Sequence, residues 1–446
     1  MERITSSSSE TLIRQTKDGW LVIFSGFCLY FLLSPLFLWG EFMIYIYSYL
    51  RQYDPNSSIT CLSWVFPIAF LISQIIVSYT ETLMSRISVI KLSFFGFLFT
   101  IAALFICSEL QNTLYFMLIY SIFIGISLGL LSMLPIVCGL RYFPENKGRV
   151  IGLIQLGGCF GCFFLAPFSA YFINSNNLKP MPTLLNIYFN ECVANQIPKF
   201  LKLIACCYTI LAMISLTYIQ SPKNLESKKE NLLIKRVIER PKWGKALGIM
   251  LLLVLLSLEG LFFLMFYKLI GLARFFDDRF LSWVGVFGVS LIWLTRVPWN
   301  FFKKTRQEIG LIIIMQILAK ISLYFNNSYW IGILMEFGSL AGVFSISSRV
   351  IAENFDMKTA KKLNKCVLIS FGLGAFVVCS LKDELINLGS AFLIGFSLKD
   401  LICLLILWRI SFGNELEMER NDRTLGGKLK TTNENSQIFE EEMVLH

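Results

Sequence analysis

The feature that most constrains this chain is a succession of apolar runs, each long enough to cross a bilayer, with basic residues gathered in the short loops between them. A hydrocarbon core of about 30 Å calls for roughly 20 apolar residues of helix. A water-soluble domain could not bury a dozen such runs at once, and in lipid each run must satisfy its own backbone polar groups, which selects helix. Twelve helices are expected, over 20–47, 62–79, 88–107, 114–140, 150–173, 200–219, 245–267, 281–301, 309–325, 329–349, 366–381 and 388–410. Of the 446 residues 55% are hydrophobic and 16% charged, whereas soluble domains are about one-quarter charged. The expected fold class is an all-α, multi-pass integral membrane protein.

The basic residues set the expected orientation. Arg3, Arg14 and Lys17 precede the first run, and Arg86 and Lys91 follow the second. Arg141, Lys147 and Arg149 follow the fourth, Lys303, Lys304 and Arg306 the eighth, and Lys358, Lys361, Lys362 and Lys365 the tenth. The densest cluster, Lys223 to Lys245, lies between the sixth and seventh. With twelve crossings all of these fall on one side, so the positive-inside rule places both termini in the cytoplasm. The formal charge of +10 is therefore read as resistance to translocation and attraction to anionic lipid, and nucleic acid is not an expected partner. The sequons at Asn56 and Asn326 fall on the opposite side. The polar, Ser-rich stretch Met1–Asp18 does not read as a cleaved signal peptide. The expected organisation is a tail at 1–19, a six-helix bundle at 20–219, a basic linker at 220–244, a second bundle at 245–410 and a tail at 411–446.

Several chemistries are excluded. One histidine, His446 at the extreme C-terminus, allows neither an intrachain His metal cluster nor a His relay in the membrane. The 12 cysteines are scattered through apolar runs; Cys159 and Cys162 sit in a Gly-rich helix as small packing residues. No phosphate-binding Gly-Lys loop is visible. No metal, cofactor or enzymatic activity is expected, and a monomer is.

A repeat crosses the basic loop. Phe143-Pro-Glu-Asn-Lys-Gly-Arg-Val-Ile-Gly, leading to Gly157, Gly158 and Gly161, has a counterpart in Phe355-Asp-Met-Lys-Thr-Ala-Lys-Lys-Leu-Asn, leading to Gly372 and Gly374. Each is a loop after the fourth helix of its half followed by a helix rich in glycine, which lets helix backbones approach closely in lipid. Gly125 and Gly129 are spaced for the same purpose. Repeated halves around a midplane site are the plan of many secondary transporters.

Four stretches carry a likeness to a known family: Trp39-Gly40 with Tyr47 to Arg51 and Asp54-Pro55; Arg141 to Gly148; Tyr267-Lys268 and Gly271 with Asp277-Asp278, Leu281-Ser282 and Gly285; and Arg296-Val-Pro-Trp299. Over about residues 18 to 410 the chain resembles the major facilitator superfamily, in particular its oxalate/formate antiporters and monocarboxylate porters. The resemblance implies the major facilitator fold, two six-helix pseudo-repeats, with Arg296 facing a central cavity and holding a substrate carboxylate. The chain departs from that pattern in places. Ser85 precedes Arg86 where the family latch has an acid, Asn300 and Lys303 stand in the equivalent loop, Ile292 replaces the proton-carrying Asp, and no Lys lies between Cys366 and Ser380.

The residues themselves support a role for Arg296. A guanidinium in the membrane must be paired or face water, and its planar fork suits a carboxylate; snorkelling to headgroups is the alternative. Glu259, Lys320, Glu336, Lys399 and Asp400 also fall inside apolar runs. Glu259 is expected to pair with Arg296 and take up a proton when substrate displaces it, or else to sit in a structural pair. Lys320 and Lys399–Asp400 are expected to be structural or snorkelling, and Glu41 to lie wet near the outer boundary. Tyr45 and Tyr49 follow Glu41 at helical spacing and could line an outer vestibule or form an interfacial belt. Gln155 is the polar residue at the start of the fifth helix. The expected function is secondary transport of a small organic anion, with a coupled proton or an exchanged anion. A non-transporting sensor or scaffold derived from such a carrier is the alternative.

Overall fold

The computed structural model describes residues 2–143, 146–182, 187–219, 243–295, 299, 305–355, 357–382 and 392–411. The first crossing is broken: α1 (Glu2–Leu32), α2 (Ser34–Phe37) and α3 (Trp39–Leu50) are separate helices. Pro35 in the first turn of α2 has no N–H to give to the preceding turn, which accounts for the interruption that hydropathy alone runs through. Then follow α4 (Ile59–Ser63), α5 (Val65–Met84), α6 (Val89–Glu109), α7 (Thr113–Tyr142) and α8 (Lys147–Ile173). A two-residue ribbon, β1 (Met181–Pro182) antiparallel to β2 (Ile187–Tyr188), precedes α9 (Glu191–Ala194) and α10 (Ile197–Tyr218). The second half contains α11 (Trp243–Phe275), α12 (Asp278–Leu294), α13 (Thr305–Tyr324), α14 (Tyr329–Asn354), α15 (Met357–Ser380) and α16 (Phe392–Ser411). Residues 220–242 of the expected linker at 220–244, and 412–446 of the expected tail at 411–446, lie outside the described residues.

Ten crossings among the described residues are long and apolar enough to span a bilayer. Helices α12, of 17 residues, and α16, with Lys399, Asp400 and Arg409, take the eighth and twelfth places. Several helices outrun the apolar stretch that announced them. α11 continues past Tyr267 to Phe275, and α15 begins at Met357 with Lys361, Lys362 and Lys365 in its first turns. Polar residues extend a helix into the headgroup zone without lowering its helicity, so hydropathy trims the ends.

The two halves repeat one packing scheme. In the first half α5 packs on α7, α6 on α7, α1 on α8, α6 on α10, and α1 on both α7 and α10. In the second, α12 packs on α14, α13 on α14, α11 on α15, α13 on α16, and α11 on both α14 and α16. These are the same six pairings by crossing number. Across the halves α8 meets α12, α5 meets α15, and α3 meets α11, again related by the pseudo-symmetry. The third crossing of each half and its packing partner, the sixth or twelfth, are peripheral. Phe94 and Leu98 of α6, Ile210 and Met213 of α10, Ile314 and Ile321 of α13, and Ile394 and Leu405 of α16 are exposed, an apolar belt that only lipid would cover.

Glycine permits the closest approaches. A Cβ on Gly157 of α8 would coincide with the carbonyl of Phe27 in α1, and one on Gly161 would lie 2.7 Å from the carbonyl of Phe31. Gly125 and Gly129 of α7 press on Ala69, Ser73 and Ile76 of α5 in the same way, as their spacing suggests.

The loop after α3 caps a neighbouring crossing. The N–H of Thr113, at the start of α7, donates to Asp54 Oδ2 at 2.9 Å, and that bond holds the Asp54 carboxyl below its ordinary range. A carboxyl depressed by folding stabilises the fold above its unfolded value of about 3.9, and the contribution disappears as pH falls through the lower folded value. Thermal unfolding in detergent should therefore show Asp54→Ala less stable than wild type at neutral pH, with the two converging in strong acid. Gly157→Ala should lower the midpoint through about 1–3 kcal/mol of overpacking. Gly148→Ala, with open space around the added Cβ, should leave it unchanged.

Candidate functional site

The end of the bundle that carries the β1–β2 ribbon is closed by a buried ionic network joining the two halves. α3 supplies Glu41 and, one turn on, Tyr45; α11 supplies Tyr267 and Lys268; α12 supplies Asp278 and Ser282. Lys268 Nζ lies 2.6 Å from Glu41 Oε1 and 2.7 Å from Asp278 Oδ1, with all three side chains at most 1% exposed. Lys268 also donates to Tyr45 OH and Ser282 Oγ, each at 3.0 Å.

Both carboxylates have further donors. Tyr267 OH donates to Glu41 Oε2 at 2.9 Å and Ser282 Oγ to Glu41 Oε1 at 2.5 Å. Tyr45 OH donates to Asp278 Oδ2 at 2.6 Å, as does Asn174 Nδ2, from the residue following α8, at 2.8 Å. This many donors hold the two buried carboxylates in a fixed geometry. The local fold makes the convergence possible. Phe276, between α11 and α12, adopts a left-handed φ of 52°, an uncommon conformation for a non-glycine residue. Asp277 then caps α12, accepting the Phe280 N–H at 3.2 Å, and Asp278 comes back against Lys268. The main chain also comes close here: a Cβ on Gly40 would lie 2.5 Å from the carbonyl of Leu264 in α11.

Glu41 is thus not wet, as its position near a helix end suggested; it is fully buried at the seam. The position misleads because α3 is covered on that side by α11 and by the ribbon, and the N–H of Phe189, just after the ribbon, donates to Ser48 Oγ at 2.9 Å. Tyr45 lies buried inside the network, while Tyr49, 6% exposed, packs with its ring tilted against that of Tyr53. Gln155 is buried on α8, the helix whose Gly158 lies against Trp293 of α12.

Arg296 lies outside the described residues. Of the described residues on either side of it in sequence, Trp293 packs edge-on against Tyr30 and Phe37 of the first half. Trp299, whose N–H donates to the Thr295 carbonyl at 3.1 Å, packs on Gly342 of α14.

Glu259 is engaged within the second half. Its two oxygens take Lys320 at 2.7 Å and Lys399 at 2.6 Å, and Asp400 meets the same lysines at 2.5 and 2.9 Å. Lys320 and Lys399 are buried and ion-paired and do not snorkel. Sequence reasoning singled out neither Lys268 nor Asp278 as an intramembrane charge, because the apolar run was ended at Tyr267 just before them. The available signal was an acid in the first helix, a lysine late in the seventh and an acid opening the eighth.

The architecture is that of a multi-pass membrane protein with the major facilitator fold. A D-xylose–proton symporter structure superposes with a TM-score of 0.65 at 13% identity, covering 88% of this chain and 97% of that one. The inward-open xylose transporter XylE from E. coli gives 0.64 at 12%, covering 89% and 96%. A nucleoside transporter, NupG, gives 0.60 at 11%, covering 88% and 100%. No family model matches. In sequence the chain is similar to apicoplast pyruvate carrier 1 of Toxoplasma gondii, 24% identical over 265 residues. That match takes in 49% of this chain and spans about half the length, 48%, of the curated relative.

Removing Lys268 should expose the dependence of the seam on its central cation. Lys268→Met leaves two carboxylates buried without a counter-charge and should cost about 3–5 kcal/mol. The double variant Lys268→Met/Asp278→Asn should be less destabilised than the sum of the single changes, a non-additivity readable from thermal midpoints in detergent.

Proposed function

We propose that this chain is a secondary transporter that moves a small organic anion of the monocarboxylate class by alternating access. The observation that carries this reading is the chemistry of the seam: the halves meet at the ribbon end through Glu41, Lys268 and Asp278, all at most 1% exposed. For a permanent seam, apolar side chains of similar volume would serve as well or better, since dehydrating ions opposes their mutual attraction. Ions can be rehydrated when halves part, so a charged seam is a reversible one. In this reading the basic loops hold the linker end and both termini in the cytoplasm, and the network closes the opposite side. The bundles are 20–219 and 245–410, joined by the basic linker.

The substrate class rests on two supports. Arg296 has the planar donor fork that pairs with a carboxylate, and in sequence it comes three residues after Trp293. The similarity to a protein named as a pyruvate carrier points to the same chemistry. The driving force is a coupled proton or an exchanged anion. The alternative, a non-transporting sensor or scaffold, is favoured by Ser85 and Lys303 standing where the latch acids are expected.

Uptake of labelled pyruvate, lactate, formate and oxalate into proteoliposomes separates the two. Wild type should transport at least one of them, and Arg296→Lys should lose about tenfold or more, because a point charge does not reproduce bidentate pairing. Wild type inert across the panel would establish the scaffold reading.

A further inference from the structure

The second buried cluster does not balance its charges. Glu259 of α11, Lys320 of α13, and Lys399 and Asp400 of α16 form a closed ring in which each lysine meets both acids, at 2.5–2.9 Å. Gln316 of α13 supports it, accepting from Lys399 at 3.0 Å while donating to the Leu256 carbonyl at 2.7 Å. Two cations and two anions make the ring neutral. A third acid, Glu336 of α14, stands beside it: its side chain is fully buried, and among the described residues neither carboxyl oxygen has a hydrogen-bond partner. The charged groups acting on it are Glu259, Lys320, Lys399 and Asp400; α12 and α15, which also pack on α14, contribute none of these.

The contrast with the seam is informative. Glu41 and Asp278 each have a lysine and two further donors, the surroundings of an anion. Glu336 has none. An ionised carboxylate without donors in a dehydrated interior is strongly disfavoured, whereas the neutral acid is not. We propose that Glu336 is a buried proton-binding site, protonated while the ring is closed, and that it releases its proton to entering water when a ring lysine is freed to pair with the carboxylate left behind. Charge is conserved: the O–H bond of the acid breaks, hydronium forms, and the ammonium moves from Glu259 or Asp400 to Glu336. The trigger is built into α11, which carries Glu259 and, nine residues on, Lys268 of the seam; at 1.5 Å per residue these lie about 13 Å apart on one rigid rod. Movement of α11 that parts the seam therefore also disturbs the ring. The carrying of a proton through the cycle rests on the transporter reading above; the protonation of Glu336 does not.

Two measurements keep those claims separate. Infrared spectra of the purified full-length protein in liposomes at neutral pH, wild type minus Glu336→Gln, should show loss of a neutral carboxylic-acid carbonyl band. Loss of carboxylate bands instead overturns the site. Glu336→Gln mimics the neutral acid, so it should fold with an unchanged thermal midpoint; Glu336→Asp, which keeps a titratable group, should retain the acid band. In proteoliposomes, substrate uptake stimulated by an imposed pH gradient should fall at least tenfold in Glu336→Gln, while exchange at equal substrate concentration on both sides persists. Full gradient response in the variant overturns the coupling role, as does dependence on sodium that the variant abolishes. Wild type without any flux removes the carrying role along with the transporter reading, and the infrared result still decides whether Glu336 holds a proton.

Discussion

The relation between the two halves depends on the ammonium of Lys268. Held between Glu41 of one half and Asp278 of its own, it is the cation at the centre of a region from which water is excluded. Without it both carboxylates would be buried with no counter-charge, and without them its own charge would be unpaired in the interior. Tyr45, Tyr267, Ser282 and Asn174 complete the remaining valences. Such a network has no stable half-formed version, because each missing partner leaves a buried charge exposed to low dielectric. It is either dry and complete or parted and wet, and an interface with two discrete arrangements is what switching between conformations requires.

Around that seam the helices are arranged by how closely their backbones can pass. α1 and α11, the first crossing of each half, are the most enclosed, whereas α6, α10 and α13 present apolar side chains outward. Hydrophobic burial does not drive helices together in lipid, so small residues and polar contacts decide the pairings. Gly157 and Gly161 bring α8 onto the carbonyls of α1, and Gly40 brings α3 onto those of α11. The six repeated pairings in each half follow from repeating this pattern of close and distant contacts along the chain.

The two buried ionic clusters differ in a way that their composition does not reveal. One crosses the halves and gives each acid its donors; the other lies within the second bundle and, among the described residues, leaves Glu336 without any. They share α11. Any displacement of that helix is felt by both, which ties the seam to the interior of the second bundle by ordinary mechanical continuity.

Much of this was legible in the residues. Apolar runs of bilayer length specified membrane-spanning helices, and the motif repeat around Gly157 and Gly372 specified two like halves, since both signals are local and survive without knowing what touches what. Hydropathy erred where local chemistry intervenes, as at Pro35, and where a helix carries polar residues at its end, as at Lys268. The sequence by itself determined that charges such as Glu259, Lys320 and Lys399 would have to be paired or reach water, because an isolated ion in lipid is too unfavourable to persist. It did not determine with whom. Glu41 is 227 residues from Lys268, and Glu259 is 140 from Lys399; only the packing of distant helices brings them within hydrogen-bonding reach. Which acid is satisfied and which is orphaned is therefore a property of the tertiary structure, set by distances of a few ångströms between side chains that the linear order keeps far apart.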